Sequence, residues 1–509
     1  MQADAETGRR TDWTLFLAIV GVIALGCLPI VFFHEQAGAL ITAGYDAITA
    51  RFGVAYLLYG LASLLFLLYL ALGRFGSVVL GRAGDHVEFP THTWVAMLFC
   101  AGVGAGLLYW AVVEWAYYIQ APPFGLEAGS PAAVEWAAAY GLFHWGITGW
   151  ALFCLPAIAI AYPYYVRRVP YLRLSTACIA FLPGGVNSRR GRFVDFLYML
   201  NLVGGTGTSL GLSTPMIAAS FAGLTGLEHD FVLEVSMVLM CIAIFGTSAW
   251  IGLHGGFRRL ADWNMIVAFA LLFFVLAVGP TIFILKVGLN SAGLVLQNFI
   301  RLNTWTDPVA DSGFVESWTV FYWAWWIAYG PFVGIFVTRI SRGRTIRQVV
   351  SGMLVFGSLG AAAFFIVFGN YALHLELSES LSVTGLIREI GEPAAIAAVF
   401  QSLPLGQLAL AAFFVVSVIF LATTYDSASY TLASVSTRRL EAGENPARWN
   451  RVFWACALGV LPITLMFIDG GLRVILSATV VVSLPLMLVG VLMAASLLRL
   501  LRSDHGPGR

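Results

Sequence analysis

Apolar residues run along this chain in blocks too long for strands and too continuous for the stripe of a surface helix. Twelve blocks stand out: 13–33, 54–73, 93–119, 140–164, 194–222, 231–252, 263–285, 315–338, 348–371, 406–432, 450–468 and 473–498. A helix needs about 20 apolar residues to cross a hydrocarbon core. The pattern therefore predicts an all-α polytopic membrane protein with twelve transmembrane helices. Several blocks exceed that minimum, which implies tilt or helices that emerge from the bilayer. Two further stretches, 288–305 and 385–403, mix charges with an apolar face and read as helices lying along the outer surface.

The loops orient the chain. With the N-terminus inside, segments 74–92, 165–193, 253–262, 339–347, 433–449 and the C-terminal tail are cytoplasmic. This topology leaves only Arg51, Lys286, Arg301, Arg388 and Arg473 outside, so 23 of the 28 Lys and Arg residues lie inside. The positive-inside rule supports that orientation, with both termini cytoplasmic in an inner, cytoplasmic-type membrane. The first block is too long for a signal-peptide core and lacks a small-x-small cleavage site, so it reads as a retained span.

Composition agrees. Of 509 residues, 59% are hydrophobic and 11% charged, with mean hydropathy +0.84. A soluble chain carries about 25% charged residues. A net charge of +1, with no basic stripe interleaved with aromatics, gives no nucleic-acid signal. Cys27, Cys100, Cys154, Cys178, Cys241 and Cys456 fall in or beside apolar blocks with no CxxC spacing, and read as small hydrophobes.

In transporters built from inverted repeats, a Gly/Pro-interrupted span recurring in both halves points to the binding site. Span 3 carries Gly102-Val103-Gly104-Ala105-Gly106, and span 8 carries Tyr329-Gly330-Pro331-Phe332. Counted from there, spans 3–7 and 8–12 form two sets of five, with two additional N-terminal spans in 1–92. Residues 93–285 are then the first repeat and 315–498 the second. Pro331 lacks a backbone donor and predicts a break in span 8. The alternative for the glycines is close helix packing.

Tyr322, Trp326 and Tyr329 follow i, i+4, i+7 spacing and share one face of span 8. Span 4 offers Trp145, Trp150 and Phe153. Aromatic faces beside unwound backbone suit a cation that cannot donate hydrogen bonds, namely a quaternary ammonium. Free amides and helix dipoles would meet a carboxylate on the same ligand. Glu114 and Asp426 are the ionisable residues deepest in the spans. Intramembrane carboxylates are candidates for function, and a buried structural role is the alternative. Neither has an evident cationic partner in sequence.

The segment 317–347, SWTVFYWAWWIAYGPFVGIFVTRISRGRTIR, closely resembles the signature of the betaine/carnitine/choline transporter family. The glycines at 102–106, TGTSLG at 206–211 and DSAS at 426–429 sit where that family has its other motifs. The resemblance implies the five-plus-five inverted-repeat fold of the LeuT type, a central substrate site, and a homotrimer. The family's aromatic box maps onto Trp145, Trp150, Phe153 and Trp326. Trp325, Tyr329 and Tyr117 map onto further substrate contacts, and the backbone of Gly102, Gly104 and Gly106 lies near the substrate.

Phe153 stands where a box tyrosine is common, and Tyr329 replaces a tryptophan of the glycine betaine symporters. Tyr329, Tyr117 and the stretches 118–127 and 140–146 look instead like the sodium-independent carnitine/γ-butyrobetaine antiporters. The resemblance places a first sodium site at the carbonyls of Cys100, Val103 and Phe420 with the hydroxyls of Thr423 and Thr424. It places a second at Thr206, Thr208 and Phe332. All-oxygen surroundings suit a small hard cation. The antiporters fill this region with an arginine where this chain has Asn264. Sodium is therefore the expected coupling ion, with no cofactor, for a zwitterionic quaternary ammonium substrate. The alternative is that the threonines bond back to carbonyls one turn earlier.

The tail at 500–509 holds only Arg502 and Arg509, against the long basic tail of osmosensing relatives, which implies little osmotic regulation by that route. A membrane enzyme would need a His/Asp pair or an Asp-rich metal motif. His144 has no carboxylate at helical spacing, so no enzyme is expected.

Overall fold

The computed structural model describes residues 11–81, 86–101, 104–251, 254–438, 445–465 and 471–506. Among them the chain is helical. Its only β pairings are two isolated bridges, Thr11 with Thr437 and Val79 with Thr345. Nine helical segments among the described residues are long and apolar enough to cross a membrane.

The chain opens with α1 (Trp13–Phe32), which Asp12 caps by accepting from the Leu15 amide. Next, α2 (His34–Leu72) begins 20 residues before the apolar block at 54–73. Hydropathy marks the part of a helix that lies in lipid, and the polar first half carrying Glu35, Asp46 and Arg51 continues the same helix. Span 3 is divided into α3 (Thr91–Ala101) and α4 (Ala105–Gln120). Gly102 and Val103 between them lie outside the described residues.

Span 4 is also divided, which the sequence did not signal. Helix α5 (Pro131–His144) ends at Trp145, and α6 (Ile147–Tyr165) starts after Gly146. The Gly146 amide closes the first helix by donating to Phe143 O, and Gly146 O accepts the Trp150 amide to open the second. The chain continues through α7 (Arg189–Thr225), α8 (Phe231–Ile251) and α9 (His254–Val278) to α10 (Thr281–Gln297).

The predicted break in span 8 is absent. Helix α11 (Val315–Ile340) runs unbroken through Pro331, after a π-helical first turn at Val315–Val320. Its glycines serve close packing. A Cβ on Gly330 would lie 2.9 Å from Leu152 O, and one on Gly334 would lie 2.8 Å from Ala157 N. The backbones of α11 and α6 thus meet closely along their shared interface. Proline's missing hydrogen bond is tolerated in such helices because neighbouring groups re-satisfy the freed carbonyl.

Helix α12 (Ile346–Leu377) contains two π-helical turns, Met353–Gly357 and Phe365–Gly369. Helix α13 (Val383–Gln401) bends at Gly391, whose φ of 83° precedes Pro393. Then follow α14 (Gly406–Val435), α15 (Arg448–Leu465) and α16 (Gly471–His505). The start of α4, the α5–α6 junction, α6, α7, α11 and α14 surround one central cavity.

Candidate functional site

The cavity measures about 130 Å³. Its wall carries Gly104–Leu107 of α4, Trp145 at the α5–α6 junction, Gly149, Trp150 and Phe153 of α6, and Ser209 of α7. Helix α11 adds Trp325, Trp326, Tyr329, Phe332 and Val333, and α14 adds Leu421 and Thr424. Among the described residues, no ionisable group other than the Tyr329 phenol lines it.

The break in span 4 is what turns these rings inward. A helix end leaves carbonyls without intrahelical donors. One of them, His144 O, accepts the indole N–H of Trp326 at 3.0 Å. That bond fixes Trp326 beside Trp145, with ring centroids 4.6 Å apart and planes at 74°. Phe153 meets Trp326 edge-on at 5.2 Å and Trp150 at 5.6 Å. Trp325 stacks on Trp326 at 5.0 Å and 14°. Glycines leave room for the rings: a Cβ on Gly357 would come 2.3 Å from the Trp150 ring, and one on Gly106 would come 3.1 Å from Trp325. All four residues assigned to the aromatic box therefore line one cavity.

The same wall also carries polar groups without charge. Helix α4 starts at the cavity wall after Gly104, in extended backbone with no side-chain cap, so its first amides have no intrahelical acceptor. The indole N–H of Trp325 is buried without a partner among the described residues. Ser209 adds a hydroxyl. An N-terminal dipole and free donors suit an anionic group.

Other expected residues lie elsewhere. Tyr117 is not on the cavity wall; it bonds to Glu392 of α13 and packs 5.2 Å from Trp318. Tyr322 shares the face of Trp326 but turns its hydroxyl to Glu114. Thr424 faces the cavity, whereas Thr423 donates to Ile419 O at 2.9 Å and Phe420 O at 3.1 Å, the back-bonded alternative. Val103 falls outside the described residues, as does the side chain of Cys100. At the second expected ion site, Thr206 donates to Leu202 O and Val203 O, while Thr208 bonds to Gly204 O and Thr479. Phe332 lies against Tyr329 on the cavity wall.

Asn264 is buried where the antiporters have arginine. Its amide nitrogen donates to Val416 O at 3.2 Å, and its Oδ1 has no partner among the described residues. The hydroxyl of Ser417, the next residue on α14, is likewise unpartnered among them. Asn264 on α9 and Ser417 on α14 thus each bury a side-chain oxygen without a partner among the described residues. Sequence reasoning did not find Ser417.

It also missed the partners of Glu114. Both carboxylate oxygens are occupied: Oε1 accepts from Tyr118 at 2.6 Å and faces His144 Nδ1 at 3.4 Å, and Oε2 accepts from Tyr322 and from the Trp145 indole at 3.3 Å. Tyr118, one turn along the same helix, was the only partner visible from spacing.

The sequence finds its matches among transporters. A family model described as the betaine/carnitine/choline family transporter covers residues 14–506. An uncharacterised transporter of Escherichia coli K12, YeaV, is 36% identical over 438 residues, spanning 86% of this chain and 91% of its own. A protein of Acinetobacter baumannii named carnitine transporter is 31% identical over 492 residues, spanning 96% of this chain and 89% of its own. A helical membrane protein whose box tryptophans share one cavity, matched over nearly its full length, is a transporter and not an enzyme: the chain belongs to the betaine/carnitine/choline transporter family.

Proposed function

We propose that the protein imports a trimethylammonium-type zwitterion, such as glycine betaine, carnitine or a related compatible solute, by sodium symport. The observation that carries the reading is the make-up of one cavity wall. Trp145, Trp150, Phe153 and Trp326 line it with aromatic rings, and the uncapped start of α4 lines the same cavity with Trp325, whose indole N–H has no partner among the described residues. A methylated cation cannot use hydrogen-bond acceptors, so ring faces are its proper partners. Sodium is supported by the unpartnered oxygens of Asn264 and Ser417 and by the absence of a built-in arginine there. The same proposal includes twelve spans in a five-plus-five repeat, cytoplasmic termini, an inner-membrane location and a homotrimer.

A second reading, sodium-independent exchange of carnitine-type substrates, is favoured by the back-bonded Thr423 and by Tyr329 in place of a tryptophan. A ligand panel separates the two. Thermal shift of the purified protein with glycine betaine, carnitine, choline, dimethylsulfoniopropionate and trimethylamine N-oxide should show stabilisation by trimethylammonium carboxylates, stronger with sodium than with potassium. Equal stabilisation by 3,3-dimethylbutanoate, which has the same shape without the cation, would overturn the aromatic-box reading. Stabilisation indifferent to sodium would favour exchange.

A further inference from the structure

Glu114 and His144 sit one layer behind the box. Glu114 is 1% exposed and His144 is fully buried. The bonding pattern assigns their protons. Tyr118 O–H donates to Glu114 Oε1, so the tyrosine oxygen is left to accept from His144 Nδ1–H at 3.0 Å. The carboxylate accepts hydrogen bonds on both oxygens, from Tyr118 on Oε1 and from Tyr322 and Trp145 on Oε2. The other imidazole nitrogen, Nε2, faces Thr319 Oγ1 at 3.1 Å. A hydroxyl donates to a neutral Nε2 and accepts from a protonated one, so this contact serves both states without moving a heavy atom. Thr319 lies in the π-helical turn Val315–Val320, a rare geometry that is frequent at functional sites.

Both members act on the box. Glu114 Oε2 holds the Trp145 indole N–H, which makes that ring more electron-rich, and His144 O holds the Trp326 indole. His144 also stacks on Tyr322 at 4.6 Å. We propose that Glu114 and His144 form a buried proton-binding site coupled to the substrate box, in which a proton taken up at His144 Nε2 weakens binding of a quaternary ammonium. This rests on the reading of the cavity as a trimethylammonium site.

The sign follows from charge. The unprotonated pair carries one negative charge behind Trp145, and the protonated pair carries none. A substrate cation and the proton therefore compete, and affinity falls as pH falls. Among the described residues, the other titratable groups facing the pair are Tyr118 of α4, Tyr140 of α5 and Tyr322 of α11, with Tyr109 of α4 beyond Tyr322. Farther out, Arg301 and Asp307 act on Tyr140, and Glu392 is engaged by Tyr117. Among the described residues, Glu114 is the only carboxylate bonded to His144.

Two measurements on the purified full chain test this. The first needs no ligand: pH-indicator titration between pH 9 and pH 5 should show wild type taking up one more proton than His144→Gln. Equal proton counts would mean that His144 does not titrate, and would overturn the proposal. The second is affinity for glycine betaine over the same range, where the ligand's own charges are constant. Wild type should weaken toward low pH, by up to tenfold per unit for one linked proton, while His144→Gln stays flat. Parallel profiles in the two proteins would also overturn it. If glycine betaine and carnitine bind at no pH, the box reading fails, and the proton count alone decides whether the pair is a proton site.

Discussion

Replacing Trp326 tests the box at its centre. The ring is 5% exposed, lies within 5.2 Å of Trp145, Trp325 and Phe153, and is anchored by its bond to His144 O. A desolvated cation–π contact is worth about 2 kcal/mol, so Trp326→Ala should weaken glycine betaine or carnitine binding about 30-fold. Truncation also opens a cavity that costs about 3–5 kcal/mol of stability, so affinity must be measured on protein verified as folded. Trp326→Phe separates the effects. It keeps a π face, and so recovers part of the affinity, but leaves His144 O without its donor, which costs about 1–3 kcal/mol of stability. Trp326→Leu fills much of the volume without a π face and should bind as weakly as Trp326→Ala. Titration calorimetry beside thermal melting gives both quantities. Wild-type affinity in Trp326→Leu would show that the ring does not hold the cation.

Three further outcomes follow from the packing and the ion region. Gly357→Ala forces a methyl against the Trp150 ring and should destabilise by about 1–3 kcal/mol, with weakened substrate binding; an unchanged melting temperature would contradict that placement. Asn264→Arg supplies a fixed cation beside α14 and should abolish any effect of sodium on substrate affinity, which sodium titrations of the variant would check. Single cysteines in 167–192 and in 122–135, on a cysteine-free background, should label from opposite faces of sealed vesicles; labelling of both from one side would refute the twelve-span topology.

The box was assigned through the family resemblance; the residues by themselves offered aromatic rings in mid-span and a spacing that places Trp326 and Tyr329 on one face. The backbone device that aims them was not legible. Pro331 drew attention as a breaker, yet α11 passes through it, because a single lost bond costs little where Gly330 and Gly334 let α6 pack backbone to backbone. The break that matters, at Trp145-Gly146, has no proline and is marked only by a glycine followed by Ile147 and Thr148. Glu114 looked unpartnered because its partners His144, Trp145 and Tyr322 lie 30, 31 and 208 residues away and meet it only through tertiary packing. Long-range contacts also placed Tyr117 on Glu392, 275 residues distant, rather than on the cavity. Periodicity reports the face of a helix; which neighbour that face meets depends on the whole fold.

Flux in proteoliposomes measures sodium-coupled uptake of a trimethylammonium zwitterion directly. A zwitterion carried with sodium moves net positive charge, for which the membrane potential supplies about 2.3 kcal/mol per charge per 100 mV. Vesicles with an inward sodium gradient, clamped interior-negative with potassium and valinomycin, should accumulate labelled glycine betaine or carnitine. That uptake should collapse when potassium replaces external sodium, and should lose sodium affinity in Thr424→Ala. Full-rate exchange of carnitine for γ-butyrobetaine without sodium, indifferent to voltage, would contradict it.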